Sequence, residues 1–353
     1  MTELGSLLAD TVAKLFGALA TKELIESAEQ GAWPEKLWRA LEEGGLTLPL
    51  VSEAAGGAGG TWLDAHVVVR ASGRHTAPVP LAETIIAGWL LSRAGLQVPL
   101  GPLTIAPVRA GETLALAHRA GALTVSGTAT RVPWGRHAGH VVTVGDVDGR
   151  PTIALVATSG ARITEGTNLA REPRDTLRFD GASVLAAAPA AGVTADTIRL
   201  HGAMARAAQM AGALDACLEQ AVRYATERKQ FGRPIGSFQV IQQNLAVLAG
   251  HVAASGIAAE SAFRAADRGD ARFEIAVAKI RVGEAAGVGA GIAHQTHGAI
   301  GFTYEHALHF ATRRLWSWRA EFGSESAWAR ELGAAVAARG ADALWPDLTA
   351  RRS

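Results

Sequence analysis

The feature that most constrains the fold of this chain is a stretch of more than thirty residues, starting at Thr194, that contains no proline. It reads TADTIRLHGAMARAAQMAGALDACLEQAVRYATERKQ, and its apolar residues recur at helical spacing. Three further long helical patterns follow near 237–268, 271–298 and 304–319, and a last one begins near Ser324. Because the connections between these helices are short, we expect antiparallel neighbours that form a bundle.

The regions before this stretch show two other patterns. Residues 1 to about 100 carry apolar residues at helical spacing, interrupted by the glycine-rich segment EAAGGAGGTW. Residues 103 to 190 hold short β-rich runs broken by glycine and aspartate, and VGDVDGRPTIALV is typical of a hairpin. The predicted fold is α+β and mostly α: an N-terminal helical domain at 1–102, a middle antiparallel β domain at 103–192 and a C-terminal four-helix bundle at 193–353.

The composition argues against several classes of partner. The chain has 34 basic and 33 acidic residues and a formal net charge of +1, so we expect no nucleic acid partner. No uninterrupted apolar run approaches the roughly 20 residues that span a bilayer, so we expect no membrane partner. The single cysteine, Cys217, allows no intrachain disulfide, which fits a cytoplasmic location.

Three local patterns offer only weak functional signals. The glycine-rich segment lacks both the P-loop lysine and the Rossmann glycine spacing. His294 and His297 are spaced like a metal-binding pair but have no evident third ligand, so we expect no metal site. Cys217 lies mid-helix among apolar residues, which is typical of a packing residue rather than a nucleophile.

Two longer segments carry a more specific signal. YATERKQFGRPIGSFQVIQQNLA, starting at Tyr224, closely matches the arginine-phenylalanine-glycine signature of the acyl-CoA dehydrogenase family. HQTHGAIGFTYEH, starting at His294, is similar to the second signature of that family, with Ala299 in place of its second glycine. The two segments come in the family's order, and the resemblance covers nearly the whole chain. The sequence therefore resembles a short, divergent acyl-CoA dehydrogenase.

This resemblance implies FAD as the cofactor. Arg228 would contact its pyrophosphate, for which a guanidinium fork is well suited, and Phe231 and Gln239 would lie along its adenosine. The other positions that the resemblance assigns to the cofactor are Gln295, Gly298, Ala299, Gly301, Trp134 and Ser324. In the family, the segments around Arg228 and Gln295 reach the flavin of a neighbouring subunit. The resemblance therefore implies a homodimer, a homotetramer or a heterotetramer with a second dehydrogenase subunit.

The resemblance also implies a reaction that needs a carboxylate base. The family removes the proton α to the thioester of an acyl-CoA while a hydride leaves the β carbon for the flavin, and a desolvated carboxylate with a raised pKa is the usual base. Counting along the second signature places the base at Phe322, and the nearest carboxylate is Glu321. In a second branch of the family the base position falls on Gly202. Glu321 is therefore the predicted base, unless it faces elsewhere and the chain has none. Glu219 matches a position that contacts substrate.

The middle region departs from the family. RVPWGRHA resembles the tryptophan motif beside the flavin, but Gly135 and Arg136 stand where a threonine or serine normally hydrogen-bonds the flavin. The leading hypothesis is an FAD-dependent acyl-CoA dehydrogenase that passes electrons to an acceptor like the electron-transfer flavoprotein. The alternative is a catalytically incomplete or structural subunit of a heteromeric dehydrogenase, for example one for bulky or steroid side-chain acyl-CoA.

Overall fold

A computed structural model describes residues 3–119, 121–194 and 196–350 of the chain. The N-terminal part holds five helices: α1 (Glu3–Leu19), α2 (Lys22–Glu29), α3 (Glu35–Glu43), α4 (Trp62–Arg74) and α5 (Leu81–Arg93). α4 begins with a capping box: the Thr61 hydroxyl accepts from the Asp64 N–H at 3.2 Å, and the Asp64 carboxylate accepts from the Thr61 N–H at 2.8 Å. The glycine-rich segment is therefore the connection that leads into α4.

The middle part is a seven-stranded sheet. Its strands are β1 (Leu103–Ile105), β2 (Ala115–Arg119), β3 (Ala122–Pro133), β4 (His140–Val147), β5 (Arg150–Ala157), β6 (Ala161–Thr164) and β7 (Arg174–Pro189). They lie in the order β1-β4-β5-β7-β3-β2, and β6 pairs with β7. Asp148 and Gly149 both have positive φ at the β4–β5 turn, as a tight hairpin turn requires, and this confirms the predicted hairpin.

One strand pairing corrects the expectation of an antiparallel sheet. β1 runs parallel to β4, whereas the other paired strands that the structure describes in this sheet are antiparallel. Parallel neighbours need a long crossover rather than a hairpin, and here β2 and β3 lie in the crossover between β1 and β4. The short strand β1 also packs against α5, so the sheet is joined directly to the N-terminal helices.

The rest of the chain is helical. Its helices are α6 (Thr197–Glu227), α7 (Gln239–Arg268), α8 (Arg272–His297), α9 (Leu308–Trp318), α10 (Glu325–Arg339) and α11 (Ala341–Ala350), and a hairpin of β8 (Lys229–Gln230) and β9 (Arg233–Pro234) joins α6 to α7. α6 is central and packs against α4, α7, α8 and α9. Its buried positions are mostly alanine and glycine, which lets these helices approach closely. The predicted fold class, including the C-terminal bundle, is confirmed.

One bundle helix keeps part of its apolar surface uncovered. α7 is long and apolar enough to cross a membrane, and so is the bent pair of α1 and α2 if the two count as one span. The core helices of soluble proteins pass the same test, so this is weak evidence for a membrane span. α7 packs against α6 and α8 within the bundle. Its side chains Val240, Val247 and Ile257 remain exposed. An exposed apolar row on a bundle helix suits contact with another protein surface.

Candidate functional site

Glu321, the predicted base, lies in the turn between α9 and α10 and is held by two arginines. Its Oε1 accepts a hydrogen bond from Arg174 Nε, and its Oε2 accepts one from Arg206 Nε, both at 2.7 Å. Burial acts to raise the pKa of Glu321, but Arg174 and Arg206 outweigh it and lower the pKa to about 2. A base that works near neutral pH needs a pKa close to that pH. The pKa of this carboxylate is therefore shifted in the opposite direction from the raised pKa expected of the base, and its role as base stays a prediction.

The two arginines continue into a buried network of charges. Arg206 Nη2 donates to Glu83 on α5 at 2.5 Å, and Arg174 Nη2 donates to Glu172 at 2.9 Å. Arg314 on α9 pairs with the same Glu172 at 3.2 Å. All five side chains are less than a tenth exposed. The side chains of this network come from the N-terminal helices, the end of the sheet and the bundle. Ion pairs therefore connect all three parts of the chain to the turn that carries Glu321.

Sequence reasoning did not find this network. Its strongest local signal is Arg206, a single charge within the small, apolar run AMARAAQMAGA. A charge in the middle of a buried helix requires a partner, so that run predicts an ion pair without naming the other residue. Glu83 gives no such signal, because it lies in the first turn of α5, where acidic residues are common.

The two family base positions meet in the structure. Phe322 has a φ of 55° and is buried, with its ring against Gly202 on α6. A Cβ placed on Gly202 would lie 2.3 Å from two carbons of that ring. The Phe322 carbonyl accepts a hydrogen bond from Trp328 Nε1 at 3.0 Å, which holds the turn in place. Ser324 follows as the N-cap of α10, where its Oγ accepts from the Ala327 N–H at 3.3 Å.

A polar cleft opens beside Phe322. It encloses about 520 Å³ between the β1–β2 connection, β3 and the start of α10. Three of the side chains that line it are Arg109, Arg131 and Arg199. Arg199 pairs with Asp196 at 2.6 Å, whereas Arg109 and Arg131 form no ion pair in the described part of the chain. The cleft therefore offers two free cations to an anionic ligand.

The predicted tryptophan motif is buried and makes its contacts within the chain. Trp134 is buried, with its ring 6.4 Å from the ring of Trp33 and 6.0 Å from that of His137. Arg136, which stands at the position of the expected hydroxyl, points into the protein. Its Nη2 pairs at 2.5 Å with Asp175, whose side chain is fully buried. No hydroxyl of the kind that the resemblance would require is present at this position.

The first signature is arranged differently, with its side chains toward solvent. Arg228 caps the C-terminus of α6, and its carbonyl accepts from the Ile235 N–H at 2.8 Å, so its backbone is fixed. The Arg228 guanidinium is exposed and forms no ion pair with any residue that the structure describes. Phe231 is 91% exposed at the tip of the β8–β9 hairpin, and Gln239 is exposed at the start of α7. A fixed backbone with free side chains suits a binding surface.

The second signature lies next to the first. α8 ends at His297, whose ring stacks on Tyr224 of α6 with 4.6 Å between ring centres. Gln295, Gly298 and Ala299 are exposed. Gly298 has a φ of 65°, which favours glycine.

Gly301, the last glycine of this signature, is buried. A Cβ placed there would lie 3.0 Å from His297 Cβ and 3.2 Å from Leu308. Close packing inside the chain therefore accounts for this glycine, whereas the sequence reasoning assigned it to the approach of a cofactor.

Glu219, the predicted substrate contact, lies on the surface of α6. Its carboxylate is about half exposed and accepts hydrogen bonds from Arg74 at 2.6 Å and Arg223 at 2.9 Å. These are the contacts of a surface ion pair. Its role toward substrate stays a prediction.

Comparison with known proteins agrees with these features. Residues 193–336 match the family model described as the acyl-CoA dehydrogenase C-terminal domain, and residues 2–97 match that of the N-terminal domain. A Mycobacterium tuberculosis protein named acyl-CoA dehydrogenase IpdE2 is 31% identical over 318 residues, which cover 87% of this chain and 89% of that protein. The chain belongs to the acyl-CoA dehydrogenase family.

Solved structures agree with this acyl-CoA dehydrogenase assignment. A chain in the crystal structure of the ChsE4-ChsE5 complex from Mycobacterium tuberculosis is 26% identical, with a TM-score of 0.86 over 94% of this chain and 97% of that one. A chain of a Tcur3481-Tcur3483 steroid ACAD variant is 27% identical, with a TM-score of 0.85 over 96% of this chain and 98% of that one. Acyl-CoA dehydrogenases are FAD-dependent oxidoreductases of lipid metabolism that act on acyl-CoA thioesters and form oligomers.

The acyl-CoA dehydrogenase site of this chain therefore falls into two halves. The half around Arg228, Gln239 and Gln295 is exposed, and its residue types fit the phosphates and adenosine of an FAD that lies outside the chain. The half around Trp134 and Arg136 is occupied by contacts within the chain and does not fit a flavin held by the chain's own sheet. The role of each residue toward FAD stays a prediction.

Proposed function

We propose that this chain is the catalytically incomplete subunit of a heteromeric acyl-CoA dehydrogenase, and that it lends half of a flavin site to a partner subunit. One observation carries the proposal. The ring of Phe322 fills the space at Gly202, and the nearby Glu321 is bound by two guanidiniums. Neither of the positions from which the family supplies its base therefore offers a free carboxylate.

The exposed half of the site supports the same proposal. Arg228 lies on a fixed backbone and has no ion-pair partner within residues 3–119, 121–194 and 196–350, which suits the pyrophosphate of a cofactor that the partner holds. Gln239 and the tip of the hairpin at Phe231 would lie along its adenosine, and the exposed turn at Gly298 would border it. Ile257 and the other exposed apolar residues of α7 lie on the helix that Gln239 begins, so this surface suits a subunit contact.

The chemistry is then divided between two chains. FAD, when bound, accepts the hydride from the β carbon of the acyl group. The partner subunit supplies the carboxylate that removes the α proton, and this chain supplies Arg228 and the turn after α8. The ion pairs of Glu321 with Arg174 and Arg206 fix the α9–α10 turn, so this carboxylate is not free to act as a base in the polar cleft.

The names of two solved relatives support a proposal for the substrate and the assembly. One solved relative is a complex of two different chains by its name, and another is called a steroid ACAD. We therefore infer a heterotetramer that acts on a bulky, steroid side-chain acyl-CoA in the cytoplasm and passes electrons to an acceptor like the electron-transfer flavoprotein. A homodimer or homotetramer with Glu321 as base is the competing assembly, since Glu321 does line the cleft.

The test is to co-express this chain with a full-length acyl-CoA dehydrogenase from the same genome and to measure FAD per complex. Arg228→Met in this chain should lower the FAD affinity of the complex by about tenfold or more, because it removes a charge-assisted contact to phosphate. Arg39→Met, a surface change on α3, is the matched control and should leave it unchanged. Full FAD retention in the Arg228→Met complex would contradict the shared site.

A further inference from the structure

A cavity of about 500 Å³ lies between four helices, α1, α4, α6 and α7. It shares no lining residue with the cleft beside Phe322, so the two spaces are distinct. The volume lies within the usual range for a small-molecule site. Much of the lining is small and apolar, and comes from Ala9, Val12, Ala13, Leu63, Val67 and Ala71. A lining of this kind favours a ligand with a hydrocarbon body.

The charged side chains of the lining are balanced in number. Three are arginines and three are carboxylates: Arg70, Arg74, Arg264, Asp64, Asp215 and Glu260. Arg70 pairs with Asp215 at 2.9 Å, and Arg264 pairs with Glu260 at 2.7 Å. Four of the six charges are therefore engaged with one another inside the lining itself.

The other two charges are engaged with residues outside the lining. Arg74 pairs with Glu219 at 2.6 Å. The Asp64 carboxylate accepts from the Thr61 N–H at 2.8 Å in the capping box of α4. An ion that entered the cavity would have to displace one of these partners to find a counter-charge. The lining therefore favours an uncharged ligand.

His66 on α4 is a buried polar group of the lining that lacks a partner. Its side chain is only 5% exposed, and its Nε2 forms no hydrogen bond with any residue that the structure describes. The ring packs beside Phe263 of α7, with 5.1 Å between ring centres. Burial lowers the pKa of His66 to about 4, and Arg70 acts in the same direction, so the ring is neutral near pH 7. An unpaired buried nitrogen costs stability, so its presence beside a cavity calls for a ligand that pairs with it.

The neutral ring also selects the kind of polar group. Nε2 of a neutral imidazole donates in one tautomer and accepts in the other, and a hydroxyl can pair with either. We propose that this cavity binds an uncharged, mostly apolar alcohol, whose hydroxyl pairs with His66 Nε2 and whose hydrocarbon lies against α1 and α4. The proposal does not depend on the shared flavin site, because the lining includes none of the residues assigned to FAD.

The test is a ligand-observed NMR titration of the purified full-length chain at neutral pH with hexanol, hexanoate and hexyl chloride. Hexanol should bind, and hexanoate should bind at least about tenfold more weakly because its charge finds no free partner. Hexyl chloride keeps the hydrocarbon and lacks the hydroxyl, so it reports the apolar contribution alone. Absence of hexanol binding, or binding of hexanoate as tight as that of hexanol, would overturn the proposal.

His66→Phe tests the hydrogen bond, because it keeps a flat ring and removes the nitrogen. The ratio of hexanol affinity to hexyl chloride affinity should fall by about threefold to tenfold in this variant. Its urea midpoint without ligand should be unchanged or higher, since an unpaired buried nitrogen has been removed. A lower midpoint together with an unchanged ratio would mean that His66 serves packing alone, and would overturn the proposal.

Two variants on α1 locate the binding. Ala13 is an exposed residue of the lining, so Ala13→Trp should obstruct the cavity and weaken hexanol binding about tenfold or more. Ala18→Trp is the matched control, because Ala18 is exposed on the same helix and lies outside the lining. It should leave the affinity unchanged. Hexanol binding that survives Ala13→Trp at full strength would place the ligand elsewhere and contradict this site.

Discussion

The ring of Phe322 lies directly against the Cα of Gly202, so closely that a methyl group added to this glycine would come within 2.3 Å of two ring carbons. These are the two positions where the sequence comparison places the base in the two branches of the acyl-CoA dehydrogenase family. In this chain, one position has no side chain and the other fills the space with an apolar ring. Packing therefore occupies the place where the comparison puts the base.

This contact predicts a coupling between the two residues. Gly202→Ala should destabilise the protein by about 1–3 kcal/mol, because the methyl group overpacks against the ring. Phe322→Ala should destabilise it by about 3–5 kcal/mol. In a double-mutant cycle measured by urea unfolding, the combined cost should be smaller than the sum by about 0.5–3 kcal/mol, since the smaller side chain removes the clash.

A glycine in an open position provides the control for this cycle. Gly291 lies within α8, and a Cβ added there would meet nothing within 4 Å. Gly291→Ala should therefore stabilise the protein by up to about 1 kcal/mol through helix propensity. Strict additivity of Gly202→Ala and Phe322→Ala would contradict the proposed contact.

Glu321 should behave as a structural residue. Glu321→Gln removes the carboxylate that Arg174 and Arg206 share. Each arginine keeps one buried partner, Glu172 or Glu83, but the network gains an uncompensated positive charge, which should destabilise the protein by about 3–5 kcal/mol in urea unfolding. Glu331→Gln is the control, because this carboxylate is a partly exposed partner of Arg199 and should cost under about 1 kcal/mol. A Glu321→Gln protein of unchanged stability, in a complex that binds FAD but cannot be reduced by acyl-CoA, would restore Glu321 as the base.

The lowered pKa of Glu321 should make the stability of the fold fall with pH in the acid range. Its folded pKa of about 2 lies below the ordinary value of 4.5, so its contribution is fully present above pH 4.5 and is lost as the pH falls toward 2. The difference corresponds to about 3 kcal/mol. Unfolding measured at pH 3 and pH 6 should show a smaller pH dependence in Glu321→Gln than in the unaltered protein. An equal dependence in both would argue against this pKa.

Lys279 should make the stability of the fold depend on pH in the alkaline range as well. It is fully buried on α8, where its Nζ donates to the carbonyls of Trp318 and Arg319 at 3.2 and 2.7 Å. Burial lowers the pKa of Lys279 to about 7, so the unfolded chain binds more protons between about pH 7 and 10.5, and stability should rise with pH there. Lys279→Met should flatten this rise in urea unfolding at pH 7 and pH 9. The exposed Lys36→Met should retain it, and an unchanged rise in Lys279→Met would assign it to other groups.

Much of the fold could be predicted because its signals are local. The break between α7 and α8 falls at Gly269, and the β4–β5 turn falls at Asp148 and Gly149, where the backbone needs a positive φ. The parallel pairing of β1 with β4 could not be predicted in the same way. A three-residue strand carries little pattern of its own, and its direction depends on how α5 docks against the sheet.

The site, too, has a part that local sequence predicts and a part that it does not. The surface half could be found because Arg228 and Gln239 belong to one continuous motif, and the motif around Gln295 is also continuous. The buried network could not, because Arg206 and Glu83 lie 123 residues apart and Arg174 and Glu321 lie 147 residues apart. Nothing local to Glu321 reveals that two guanidiniums will reach it. A sequence motif therefore identified the family, whereas only the packed structure showed which residues surround Glu321.

The most direct test of the shared flavin site is the visible spectrum of this chain, purified alone and with its partner, before and after anaerobic addition of an acyl-CoA. We expect the chain alone to be colourless, and the complex to carry one FAD for each pair of unlike subunits and to bleach on addition of substrate. A yellow protein from this chain alone that acyl-CoA bleaches without any partner would contradict the proposal.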